Sequence, residues 1–150
     1  VNFLDWFFTS HVKDKKIKFK KVIHLSSCKA GESSIYGKTK FQGEQLLKSI
    51  CDTCNVPVKV IRYKNLFGKW CKPDYNSVVA TWCRDFRLSR KTFISNPNNC
   101  IELIYIDDVC DEIHKLIFSN QEDFIEKCKS TSSDLKPFST SLQNLHDILS

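Results

Sequence analysis

The chain has 150 residues, 41% of them hydrophobic, which is enough apolar material for one ordinary domain with a core of its own. Its 23 Lys and Arg against 17 Asp and Glu give a formal net charge of +6, and no run approaches the roughly 18 apolar residues of a membrane-spanning helix. Eight cysteines scattered through segments of helix and strand character read as free thiols rather than a disulfide framework.

The start, VNFLDWFFTSHVKDKK, lacks a basic segment followed by a small-residue cleavage site, so the expected location is cytoplasmic, with no membrane partner. The chain contains no methionine and reads as the middle of something longer. Residues 2–12 repeat apolar side chains at helical spacing, with Phe3, Leu4, Trp6, Phe7 and Phe8 on a broad face. The basic excess peaks next, in KDKKIKFKK. No nucleic-acid motif accompanies it, so a solvated turn is expected and no nucleic-acid partner.

KKVIHLSS reads as a buried strand that ends at Ser26 and Ser27. Residues 28–34 form a loop in which Ser33 or Ser34 caps the next helix, which runs to about Cys54. Its apolar positions, Phe41, Leu46, Leu47 and Ile50, recur at three- and four-residue steps, as packing on a sheet requires. Cys51-x-x-Cys54 has no second pair and no histidine at ligand spacing, so no metal is expected there.

VKVIRY is β-branched and predicts a second strand; residues 65–76 read as loop, and SVVATWCRDFRLSR returns to helical periodicity. Strand character follows at 91–95 and 101–106. DDVCDEIHKLIFS then reads as a helix favoured by acids in its first turn. A polar loop over KSTSSDLKP leads to a last helix, SLQNLHDIL, capped by Thr140 or Ser141. Alternation of helix and strand predicts an α/β chain with a mostly parallel sheet. His24 reads as a packed residue rather than a ligand.

In open α/β sheets ligands bind beyond the carboxyl ends of the strands. Ser26 and Ser27 end one strand, and Arg62 and Tyr63 end another. Tyr36 and Lys40 are four residues apart at the start of a helix, so their side chains share a surface. A nearby ammonium favours phenolate over phenol, which suits proton transfer, and a serine hydroxyl on the adjoining strand end can hold a carbonyl oxygen. Serine, tyrosine and lysine then form an acid/base triad for moving hydride at a carbonyl.

Three stretches together resemble the extended short-chain dehydrogenase/reductases that act on nucleotide sugars: Ser27 followed after eight residues by YGKTKFQGE, Arg62-x-x-Asn65-x-x-Gly68, and Tyr105 to Val109. The string NLFGKWCKPDYNSVVATWC is similar to the reductase domain of capsular polysaccharide enzymes that make UDP-2-acetamido-2,6-dideoxy-L-talose on the way to UDP-N-acetyl-L-fucosamine. The resemblance implies NADP(H)- or NAD(H)-dependent reduction of a 4-keto UDP-deoxysugar. Tyr36 would give the proton to the C4 oxygen, and Lys40 would make Tyr36 a stronger acid and bind the nicotinamide ribose. Ser27 would hydrogen-bond the reacting oxygen, while Asn65, Asn76 and Arg62 would face the substrate. The full-length parent is expected to be a homodimer.

One feature departs from this pattern. The four glycines, Gly31, Gly37, Gly43 and Gly68, form no G-x-x-G-x-x-G after a strand, so the cofactor's pyrophosphate has no cradle. The expectation is therefore a single partial domain over residues 1–150. It would be the C-terminal half of a Rossmann-like doubly wound parallel sheet, without the dinucleotide-binding half and without the metal-binding cupin domain of its relatives. As an isolated chain it is expected to turn over little or nothing. The alternative is a non-catalytic remnant that keeps nucleotide-sugar affinity or an interaction surface.

Overall fold

The computed structural model describes Phe19–Ser150 together with Trp6 and Ser10. The helix expected over residues 2–12, and most of the basic run, lie outside the described residues. In chain order the elements are β1 (Val22–Ser27), α1 (Ile35–Thr53), β2 (Val58–Tyr63), β3 (Asn65–Phe67), α2 (Val78–Arg87), β4 (Cys100–Tyr105), α3 (Ile106–Phe118), α4 (Gln121–Lys127), β5 (Phe138–Ser141) and α5 (Leu142–Leu149). The chain divides into two compact units, one of Val1–Tyr63 with Ile113–Ser133 and one of Lys64–Glu112 with Asp134–Ser150.

In the first unit β1 and β2 pair in parallel, from Val22 opposite Val58 to Ser27 opposite Tyr63. Side chains alternate across a strand, so His24 and Ser26 share one face with Val60 and Arg62, while Ile23 and Leu25 share the other with Lys59 and Ile61. Helix α1 covers the first face. Its N-cap is Ser34, whose hydroxyl accepts the Gly37 N–H at 3.0 Å, and its C-terminus is followed by Asn55 in the left-handed region at φ 52°.

The buried side of α1 is Gly37, Gly43, Glu44, Leu47 and Cys51 rather than the expected stripe. Leu47 belongs to both sets, but Phe41 is exposed and Leu46 and Ile50 are half-buried. A buried carboxylate and two glycines turn the helix, displacing the face that apolar spacing alone selects. Burial pushes the Cys51 thiol up to about 11, helped by Cys54 and Asp52, so it packs as a small inert residue.

Two ammonium groups close helix ends on the opposite face. Lys21 donates to the carbonyls of Leu116 at 3.0 Å and Ser119 at 2.8 Å and lies 4.9 Å from the centroid of the Phe124 ring. Lys59, itself buried, donates to the carbonyls of Lys127 at 2.6 Å and Ser130 at 2.7 Å. Each satisfies carbonyls that a helix C-terminus leaves without partners, where a cation also meets the negative end of the dipole. Lys21, read from sequence as part of a solvated run, is therefore a structural residue. Between these caps Phe124 is completely buried.

In the second unit β3 pairs with β4 in parallel and β4 with β5 antiparallel. The sheet is thus less uniformly parallel than the alternation of elements predicts. Trp82, Leu103 and Leu145 form its buried centre, with Phe67, Phe86 and Leu142 among the side chains packed around them. Segment 65–76, expected as loop throughout, opens with β3, whose three residues find partners at Leu103–Tyr105. Segment 91–95 forms no strand despite its β-branched content: among the described residues no strand pairs with it, and Ile94 packs against the Trp82 cluster instead. Gly68 sits at φ 135°, and an added Cβ would come within 2.6 Å of Ile106 and 2.8 Å of the Tyr105 ring, so only glycine fits there.

Candidate active site

Ser27 is the last residue of β1, and its hydroxyl accepts the Lys29 N–H at 3.2 Å. The chain then folds back across the start of α1: the Cys28 N–H bonds to the Tyr63 carbonyl at 3.0 Å, and the Gly31 N–H to the Gly37 carbonyl at 3.1 Å. Gly37 permits this approach. A Cβ there would lie 2.5 Å from the Lys29 carbonyl oxygen and 2.9 Å from that of Glu32.

Gly37→Ala consequently sets two effects against each other. Alanine favours the helix by about 1 kcal/mol, whereas forcing a methyl against backbone costs about 1–3 kcal/mol. The clash is with main-chain oxygen, which cannot swing aside, so the expected result is a net loss of stability in urea titration and displacement of residues 28–32. A stabilised Gly37→Ala variant would show that the loop does not rest on the helix.

Tyr36 and Lys40 occupy the first turns of α1. Tyr36 is 50% exposed, and the Lys40 ammonium lies 5.7 Å from the centroid of its ring. The pair therefore meets as the four-residue spacing requires, on a surface that solvent reaches. Serine, tyrosine and lysine all belong to the first unit.

Arg62 belongs to it too, and the structure assigns it a partner that sequence reasoning missed. Its Nε donates to Glu44 Oε1 at 2.9 Å and its Nη2 to Oε2 at 2.6 Å, while Ser26 Oγ donates to the same Oε1 at 2.5 Å. Glu44 is 0% exposed. Its signal in the sequence is spacing: Glu44, Leu47 and Cys51 follow each other at i, i+3 and i+7, which places the acid on the buried stripe.

Burial acts to raise the Glu44 carboxyl, but hydrogen bonds from Arg62 and Ser26, with the charges of Arg62 and Lys48, outweigh it and hold the group below its ordinary value. His24, on the same face of β1, is lowered by burial first and by Lys40 second, with Glu44 opposing. Among the described residues its Nε2 has no hydrogen-bond partner.

The two shifts predict how stability depends on pH. Both groups bind protons less readily in the folded state, so both contribute above their unfolded values and the contribution is lost as pH falls. Acidification should weaken the fold first below about 6.5, through His24, and again below about 4.5, through Glu44. Urea titrations across this range check it, and His24→Phe should remove the upper stage alone. A flat profile between neutral pH and 5 would contradict the His24 assignment.

The remaining expected site residues are in the second unit. Asn65 opens β3, and its Nδ2 donates to the Glu102 carbonyl at 3.1 Å. Asn76, at φ 55°, directly precedes Ser77, the N-cap of α2. The segment before it also holds Trp70 and Asp74 at positive φ, and Arg84 fastens it by pairing with Asp74 and Asp85.

The model of the NAD dependent epimerase/dehydratase family matches residues 8–125. A UDP-2-acetamido-2,6-beta-L-arabino-hexul-4-ose reductase of Pseudomonas aeruginosa is 38% identical over 88 residues, 59% of this chain and 24% of that protein. The crystal structure of the capsular polysaccharide assembling protein CapF from Staphylococcus aureus superposes with a TM-score of 0.76 at 32% identity, covering 93% of this chain and 38% of that one. The UDP-glucose 4-epimerase of Thermotoga maritima, at 18% identity and a TM-score of 0.73 over 95% of this chain and 49% of its own, shares the fold. The chain thus spans well under half of the reductase and of CapF. Over the residues it does contain, the chain has the Rossmann-like α/β fold with parallel strands, and it belongs to the NAD dependent epimerase/dehydratase family.

Proposed function

We propose that these residues supply the catalytic and substrate-binding part of an NADP(H)-dependent reductase of a 4-keto UDP-deoxysugar, serving capsular or surface polysaccharide synthesis. The observation that carries this reading is the Lys40 ammonium held 5.7 Å from the Tyr36 ring centroid, on a helix that starts one short loop after Ser27. Similarity to the Pseudomonas aeruginosa reductase supports a keto-sugar as the substrate.

The exposed phenol and the half-buried Lys40 beside it suit the ribose end of a nicotinamide dinucleotide, since Lys40 offers N–H donors to hydroxyl groups and Tyr36 is open to solvent. That cofactor, when bound, supplies the hydride. Tyr36 gives a proton to the C4 oxygen of the sugar, and Ser27 donates a hydrogen bond to the same oxygen. Lys40 stabilises the phenolate that remains. Asn65 and Asn76 serve the nucleotide-sugar end. Arg62 acts through Glu44 rather than as a free cation.

Calorimetric titration of the chain with UDP-sugars and, separately, with NADPH tests the reading. Binding of UDP-sugar supports it. UDP-sugar binding without NADPH binding identifies a chain that holds substrate only, and failure to bind any UDP-sugar overturns the proposed substrate class.

A further inference from the structure

Glu44 takes no part in the chemistry just described, yet it is the most completely buried charge among the described residues and sits at a junction of three elements. We propose that Glu44 is the positioning residue of the site, tying the ends of β1 and β2 to the helix that carries Tyr36 and Lys40. The role in a reaction rests on the function proposed above; the mechanical role rests on geometry alone.

A helix lying on a sheet has two soft motions, sliding along its axis and rolling about it. One anchor point stops neither completely. Glu44 has two, because its carboxylate reaches Ser26 on β1 and Arg62 on the neighbouring strand β2. Ser26 immediately precedes Ser27, while Tyr36 and Lys40 lie roughly 12 Å and 6 Å along the axis from Glu44. Fixing Glu44 against both strands therefore fixes the helix-borne phenol relative to the strand-borne hydroxyl. Misplacing a reacting group by about 1 Å lowers a rate about 10²-fold, which is the scale of what such an anchor protects.

The side chain at this position must be a carboxylate. All three groups directed at it are donors: the Ser26 hydroxyl and two N–H groups of Arg62. An ionised acid is acceptor-only and can receive them together, with two oxygens matched to the guanidinium fork. Glutamine would turn an NH₂ toward one of these donors. A buried ion pair is weak evidence for stability, since apolar replacements often do as well, and geometric specification is the better account of why a charge is placed here.

Residue-resolved hydrogen exchange of the chain separates positioning from general stabilisation. The Cys28 and Gly31 amides, bonded to Tyr63 and Gly37, report the join between strand end and helix start. Leu47 and Ile61, at the buried centres of α1 and β2, report opening of the whole unit. In Glu44→Gln the ratio of exchange at Cys28 and Gly31 to that at Leu47 and Ile61 is expected to rise about tenfold or more. Ser26→Ala, which removes one bond and keeps the ion pair, should shift the ratio the same way by less and stands in if Glu44→Gln does not fold. A ratio that stays constant, whether all four amides accelerate together or none does, overturns the proposal. In turnover of the complete reductase, Glu44→Gln should lower kcat about 10²-fold with little change in KM. Absence of wild-type turnover would count against the proposed function, while the exchange ratio, which needs no turnover, still decides the role of Glu44.

Discussion

In the reductase proposed above, Tyr36→Phe is expected to lower kcat for reduction of a 4-keto UDP-sugar by about 10²–10⁴-fold, the contribution of a positioned general acid. The substitution removes one oxygen from a side chain that is 50% exposed and capped into place by the helix start at Ser34, so neither fold nor substrate affinity should change appreciably. The ring remains and still meets Lys40 across one turn. A fall in kcat with unchanged UDP-sugar affinity is the signature of an interaction realised in the transition state alone. A comparable loss of affinity would instead make Tyr36 a substrate contact.

The second large effect concerns stability and is asymmetric within one ion pair. Glu44→Ala leaves the Arg62 guanidinium and the Ser26 hydroxyl without their acceptor. Breaking a buried pair from one side costs about 3–5 kcal/mol. The Arg62 side chain keeps 29% of its exposure and recovers part of its hydration, which places the expected loss near the lower end, about 3 kcal/mol. Arg62→Ala strands the other partner, a carboxylate with 0% exposure. Burial, the largest influence on Glu44, is then opposed only by the Ser26 hydrogen bond and the charge of Lys48, so the carboxyl is expected to rise above its ordinary value and the sign of the linkage to reverse: this group would contribute more as pH falls, when it takes up a proton. Urea titrations of the two variants at neutral and acid pH distinguish them. Equal, small losses at both pH values would show that the pair is solvated and does not hold the helix.

Much of this fold is legible from residue patterns. β1 and β2 announce themselves by short β-branched runs, α1 by Ser34 and its apolar spacing, α3 by Asp107 and Asp108 in its first turn, and α5 by Ser141, which caps it as one of two serine or threonine candidates. These are local signals, carried by the residues that form the element. What the patterns miss depends on partners far away in sequence. Helix α4 has one buried aromatic in seven residues, Phe124, and its local cues are its N-cap Asn120, the acids Glu122 and Asp123 in its first turn and Lys127 in its last. β3 is too short to show alternation and exists because β4 lies alongside. KTFIS, residues 91–95, has the composition of a strand and pairs with no strand among the described residues, Thr92 bonding His146 instead.

The site divides the same way. Tyr36 and Lys40 are four residues apart and meet because any helix brings such a pair together, so sequence suffices. The Glu44–Arg62 pair joins residues on a helix and a strand, and binary patterning assigns a charge to the solvent side unless the fold supplies a counter-charge. Reading Glu44 on the stripe of Leu47 and Cys51 would have exposed the conflict, and conflicts between local rule and position concentrate at functional sites. Gly37 is similar: its permissiveness matters through the Lys29 and Glu32 carbonyls pressed against it, which spacing along the helix does not reveal.

The most direct measurement is NADPH oxidation by these residues placed within a complete reductase of the family, supplied with a 4-keto UDP-deoxysugar, comparing native Tyr36 with Tyr36→Phe at equal UDP-sugar occupancy. Reduction that depends on the phenol, falling by about 10²-fold or more without it, is the predicted result. Equal rates from the two proteins would mean that the proton comes from elsewhere and that the helix-borne pair is not the acid of the proposed reduction.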